Sequence, residues 1–134
     1  MSRRTAREKA FKMLFAIDIG DNTIEEASEI VMYLMKNESH KLFILSVVRG
    51  VLENLSKIDE LINKYSDDWS VNRMASTDRN ILRLAIYEIL YCQDIPVSVS
   101  INEAVEIAKK YGDEQSYKFI NGLLGAIAKD LSFK

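Results

Sequence analysis

Apolar residues recur at the three-to-four spacing of helices and almost nowhere in the alternation of strands. Ala6, Ala10, Met13, Leu14 and Ile17 share one face, and Thr5 with Glu8 has capping-box spacing at its start. "GDN" at 20–22 breaks the pattern. Thr23 and Glu26 repeat the capping spacing ahead of Ile24, Ala27, Val31, Leu34 and Met35, and "KNES" at 36–39 reads as a turn. The run "LFILSVVRGVLENL" at 42–55 is apolar nearly all round and predicts a buried central helix. Ser56 opens a short helix with Ile58, Leu61, Ile62 and Tyr65.

The stretch "SDDWSVNRMAS" at 66–76 is the most polar and least periodic, and it predicts the boundary between two halves, 1–66 and 67–134. Ser76 caps a helix whose face is Ile81, Leu82, Ala85, Ile86, Ile89 and Leu90. Pro96 predicts an extended piece, "DIPVSVS", because proline disfavours a helical residue before it and cannot donate to a helix interior. Ser100 and Glu103 make a third capping spacing, followed by Ile101, Ala104, Val105 and Ala108. Gly112 is placed as a terminator and Asp113 as the cap of a last helix with Phe119, Ile120, Leu123, Leu124, Ile127 and Leu131. The expectation is an all-α protein of about seven helices in two packed helical bundles.

Composition changes this picture little. A chain of 134 residues buries about two-thirds of its unfolded surface and needs no staple. Its single cysteine, Cys92, makes no internal disulfide, which fits a reducing compartment. No apolar run approaches the roughly 20 residues of a membrane span, so a cytoplasmic protein without a membrane role is expected.

Charge changes it more. Residues 1–12 hold five bases (Arg3, Arg4, Arg7, Lys9, Lys12) and one acid, Glu8, so a start of net +4 leaves −6 on the rest of a −2 chain. On a helical wheel Phe11 and Phe15 lie beside the core stripe, in line with Arg4 and Arg7. Guanidinium groups with aromatic neighbours suit single-stranded nucleic acid, the first for phosphate and the second for bases. The same pattern fits a mobile basic tail with two phenylalanines that widen the core. A second cluster, "KKYGDEQSYKF" at 109–119, sets Lys109, Lys110 and Lys118 near two tyrosines and Phe119. Free amides at that helix start could take phosphate, but Asp113 and Glu114 compete for them.

Catalytic chemistry is not expected. One histidine, His40, and one cysteine form no metal set and no nucleophile–base pair. Adjacent acids such as Asp67–Asp68 read as helix caps, and no phosphate loop is present. Gly122 and Gly125 have GxxG spacing, but "GLLG" is apolar and helical, so it predicts close helix packing rather than a nucleic-acid clamp. No cofactor and no metal are expected.

Four stretches carry a family resemblance: "RRTAREKAFKMLF" at the start, "DRNILRLAIYEIL" at 78–90, "IPVSVSINEAVEIAKKYG" at 95–112 and "SYKFINGLLGAIAK" at 116–129. Together they resemble the NusB family of bacterial transcription antitermination factors, across both halves and in order. The resemblance implies two helical bundles, no reaction, and binding to the boxA RNA of ribosomal-RNA leader transcripts. It implies a heterodimer with the small-subunit ribosomal protein NusE, and through it other Nus factors and RNA polymerase. By motif it assigns Arg3, Arg4, Arg7 and Phe15 to RNA, Phe15 standing where a tyrosine is common. It assigns Gln115, Tyr117, Lys118 and Phe119 to RNA as well. Gln115 replaces an acid found in some relatives, which removes a like charge near phosphate. Asp78 and Arg79 are assigned to the protein partner, with Arg83 and Tyr87 on the same wheel face and open to an internal role.

Two other readings stand beside it. A ribosomal-RNA methyltransferase with a NusB-like front needs a catalytic domain with a glycine loop, and neither is expected in a chain that ends at Lys134. A helical scaffold or homodimer without an RNA role is told apart by arginine-to-alanine changes at the start, which would leave nucleic-acid binding untouched.

Overall fold

The computed structural model describes residues 1–67 and 69–131. Among these are seven α-helices, one turn of 3₁₀ helix and no strand. The all-α expectation holds. By contacts the chain forms two units, Met1–Glu53 and Asn54–Lys134.

The first unit holds α1 (Arg3–Gly20), α2 (Ile24–Met32) and α3 (Glu38–Glu53). Ser2, not Thr5, caps α1: its hydroxyl accepts from the Thr5 amide at 3.1 Å. The helix therefore begins at Arg3 and takes the arginines into its first two turns. Asp21 ends it in the left-handed region at φ 54°, which aspartate tolerates better than most residues. The Thr23–Glu26 box forms reciprocally, as its spacing predicts, with bonds of 3.1 and 2.9 Å. α2 stops at Met32, and the Met35 amide bonds back to the Met32 carbonyl in a turn. Leu34 consequently lies outside the helix and is exposed, against the predicted face.

Asn37 accepts from the His40 amide at 3.2 Å, so His40 sits in the first turn of α3 rather than before it. α1 packs on both α2 and α3. Ala6, Ala10, Phe11, Met13 and Leu14 meet Ala27, Met32, Ile44, Val48 and Val51 in this core. α3 is not buried all round: Leu42 and Phe43 are exposed. α1 covers one seam of α3, and these two side chains lie off it.

The second unit holds α4 (Leu55–Tyr65), a 3₁₀ turn (Val71–Arg73), α5 (Ser76–Tyr91), α6 (Val97–Tyr111) and α7 (Glu114–Leu131). The units part between 53 and 54, not at the polar stretch 66–76, because α4 packs on α5 and α7. The buried central helix is α5, in which every residue from Asn80 to Ile86 is buried. Arg83 in that run forks onto Asp59 of α4, with both bonds at 2.9 Å. Its role is internal.

Pro96 does not start an extended piece. It is the N-cap residue of α6, where a missing amide hydrogen costs nothing. Ser100 and Glu103 then fall inside α6, and no box forms there. Instead the buried Ser100 hydroxyl donates to Glu88 Oε1 at 3.1 Å and joins α6 to α5. Gly112 ends α6 at φ −112°, in ordinary rather than left-handed backbone. A Cβ there would come within 2.8 Å of Ser116 and 3.0 Å of the Ala108 carbonyl. Close approach, not chirality, requires this glycine. Gly122 and Gly125 are exposed and face open space, so the predicted close packing at "GLLG" does not occur.

Candidate nucleic-acid interface

Three arginines enter α1 within its first two turns, Arg3 and Arg4 in a first turn that contains no acid. Cations at a helix N-terminus oppose the macrodipole and cost about 0.3–1 kcal/mol each when exposed. A polyanion bound at this helix start would offset that cost for Arg3 and Arg4.

Arg3 and Arg4 are exposed and Arg7 is half-buried. The Arg3 guanidinium lies over the Phe43 ring, 5.1 Å from its centroid, within cation–π range. Arg3 is thus held on helical backbone against an aromatic ring. The two phenylalanines of α1 separate: Phe11 enters the core and Phe15 stays 37% exposed. Their ring centroids are 6.3 Å apart at 54°, so the buried ring braces the exposed one. Only Phe15 of this pair is available to a ligand.

In the second unit Asp113 caps α7 by accepting the Ser116 amide at 2.8 Å. That backbone bond holds its carboxyl below the ordinary range. The amide that could have met phosphate is therefore taken by the chain's own carboxylate. Lys118 pairs with Glu114 at 2.8 Å. Both are largely exposed, and such pairs contribute little and yield to a stronger anion. The Lys109 ammonium lies 5.4 Å from the Tyr117 ring centroid.

Asp78 and Arg79 occupy the first turn of α5, and both are half-buried. Asp78 lines a cavity of about 340 Å³ together with Gln115 and Phe119. Tyr117 and Lys118 do not line it. The structure thus brings one residue assigned to the partner beside two assigned to RNA. Asp78 Oδ1 is buried without a hydrogen-bond partner. Burial chiefly raises its carboxyl above the ordinary range, a Ser116 bond lowers it, and the negative charge of Asp113 adds to the rise.

Sequence reasoning missed Phe43, Trp69, Arg73 and Met74. The last three also line this cavity, as do Ala75, Asp113 and Ser116, and Trp69 is 59% exposed. A lone tryptophan in the least periodic stretch was the available signal. For Phe43 there was none, because its run read as core.

Among the described residues no group of histidine, cysteine and acids could hold a metal, and no helix is long and apolar enough to cross a membrane. Fold and site define an all-α protein that presents charged and aromatic surfaces. The chain belongs to the NusB family, whose model matches residues 4–129. It is 47% identical to the transcription antitermination protein NusB of Bacillus subtilis, over 98% of each chain. It is 49% identical to that of Pelotomaculum thermopropionicum, over 96% of this chain and 90% of the relative. Membership in this family makes it a transcription factor and not an enzyme. Its fold superimposes on T. maritima NusB with a TM-score of 0.89, at 45% identity over 96% of this chain and 92% of that one. A crystal structure of the antitermination factors NusB and NusE in complex with double-stranded RNA contains a chain that matches with a TM-score of 0.86, at 29% identity over 96% of each chain.

Proposed function

We propose that this protein binds the boxA RNA of ribosomal-RNA leader transcripts as a heterodimer with the small-subunit ribosomal protein NusE. The pair joins other Nus factors on RNA polymerase in the cytoplasm and suppresses premature termination. Arg3, Arg4, Arg7 and Phe15 contact RNA from the first unit. Gln115, Tyr117, Lys118 and Phe119 contact it from the second, and Asp78 and Arg79 face NusE.

The observation that carries this reading is the start of α1, where arginines stand against the helix dipole beside an exposed ring. The likeness to the complex of NusB, NusE and RNA supports it. Phosphate contacts supply affinity, and rings and amides supply preference for one sequence.

The test is a titration of boxA RNA and a scrambled control, with and without NusE, at several salt concentrations. Neutralisation of about four phosphates gives a log–log salt slope near −3. Preference for boxA, strengthened by NusE and lost in an Arg3/Arg4/Arg7→Ala variant, is the expected result. Absence of RNA binding in both conditions sinks the reading and favours a scaffold or homodimer.

A further inference from the structure

Phe43 is an exposed aromatic residue of α3 that the core of its unit does not enclose. The buried positions of α3 are Ile44, Val48, Gly50 and Val51, so Phe43 stands off the core seam and is 39% exposed. Leu42 beside it is exposed too. Together the two adjacent side chains put apolar surface in water, where a ligand could cover it. The Arg3 guanidinium lies over the Phe43 ring at 5.1 Å, and the contact leaves the ring partly open.

This pairing joins the two groups that single-stranded nucleic acid uses. Bases stack on aromatic faces whatever their sequence, and a guanidinium adds both a stacking plane and a forked phosphate contact. The pair lies at the N-terminal end of α1, where Arg4 is also exposed and the helix dipole adds positive potential. A strand held there by phosphate contacts would place an unstacked base within reach of the open ring.

We propose that Phe43 is a base-stacking residue of the RNA interface, forming one platform with Arg3. The platform takes an unpaired nucleobase on the ring and the adjacent phosphate on the guanidinium. It rests on the RNA-binding reading above and extends the interface from α1 onto α3.

The test uses the full chain and a short single-stranded boxA RNA, titrated at several salt concentrations. Phe43→Leu keeps an apolar side chain of similar reach and loses the ring. It should weaken binding about tenfold. The salt slope should stay unchanged, because no phosphate contact is removed. Arg3→Ala should instead flatten the slope by about 0.7. Phe43→Trp keeps a stacking face and should bind at least as tightly as the wild type. Its added indole should be quenched by RNA beyond any change at Trp69 in the wild-type control.

Binding by Phe43→Leu as tight as wild type, with Phe43→Trp unquenched, overturns the proposal. If the Arg3/Arg4/Arg7→Ala variant still loses binding, the RNA reading survives that result. A Phe43→Leu variant that flattens the slope as Arg3→Ala does, without further loss, makes Phe43 a support for Arg3 only and overturns base stacking. A wild-type chain that binds no RNA overturns both. Should Phe43→Leu melt early, the quenching of Phe43→Trp decides alone.

Discussion

Asp78 and Asp113 both stand at helix starts, yet their surroundings move their acidities in opposite directions. Asp113 is exposed and accepts backbone amides, which favours its charged form and lowers its pKa. Its stabilising effect is therefore present above the ordinary value of 3.8 and is lost as pH falls through the lowered value. Asp78 is half-buried, which disfavours its charge and raises its pKa. Its contribution is full below 3.8 and is lost as pH rises through the raised value, so at neutral pH it is a cost to the fold. Asp113→Ala should lower the melting temperature at pH 7, with a deficit that shrinks as pH falls below 3.8. Asp78→Asn should raise it at pH 7, with a gain that shrinks toward acid. Thermal melts of both variants across pH check the two signs, and parallel curves would refute the assignment. A cap is a local matter, so Asp113 was readable from spacing. The strain on Asp78 was not, because its burial comes from α7 and the 66–76 stretch meeting α5.

At the scale of elements, the glycines of the last two helices sort by what surrounds them. Gly122 and Gly125 lie mid-helix with open space where a side chain would go. Each Gly→Ala change there should stabilise the protein by about 0.5–1 kcal/mol through helix propensity. Gly112→Ala should destabilise it by about 1–3 kcal/mol, because the added carbon meets Ser116 and a carbonyl. Denaturant titrations of the three variants separate the cases. The fork between Arg83 and Asp59 ties α5 to α4 inside the second unit. Asp59→Ala strips the nearly buried guanidinium of its forked carboxylate and should cost about 3 kcal/mol. A loss below about 1 kcal/mol would mean that water replaces the carboxylate there. Helix existence was legible from apolar periodicity throughout. Helix starts were less so: Pro96 was read as a breaker because its ring is costly inside a helix, whereas at the N-cap, just ahead of the first helical residue, it is tolerated.

At the scale of the molecule, the notable quantity is how charge is divided. The first twelve residues carry +4 and the rest −6. A basic start draws RNA, and an acidic remainder suits a basic protein partner while it discourages indiscriminate coating by nucleic acid. On the proposed reading, a Glu25/Glu29/Glu60→Lys variant should associate with NusE about tenfold more slowly at low salt. The difference should fade as salt screens it. Stopped-flow association rates read this directly, and equal rates at low salt would dismiss the electrostatic account of the acidic surface.

Helical class, most helix positions, the Thr23 and Asp113 caps and the cationic start of the chain were settled by the sequence alone. Each depends on residues within a few positions of one another, and periodicity and capping act over that range. Only the tertiary structure decided which apolar residues stay outside, that α4 belongs with the second unit, that Arg83 spends its charge on Asp59, and that Arg3 rests on Phe43. Those facts depend on which distant segment arrives beside a residue. An apolar stripe records that a helix will bury a face, but the width of that face is set by the number of helices that come to cover it.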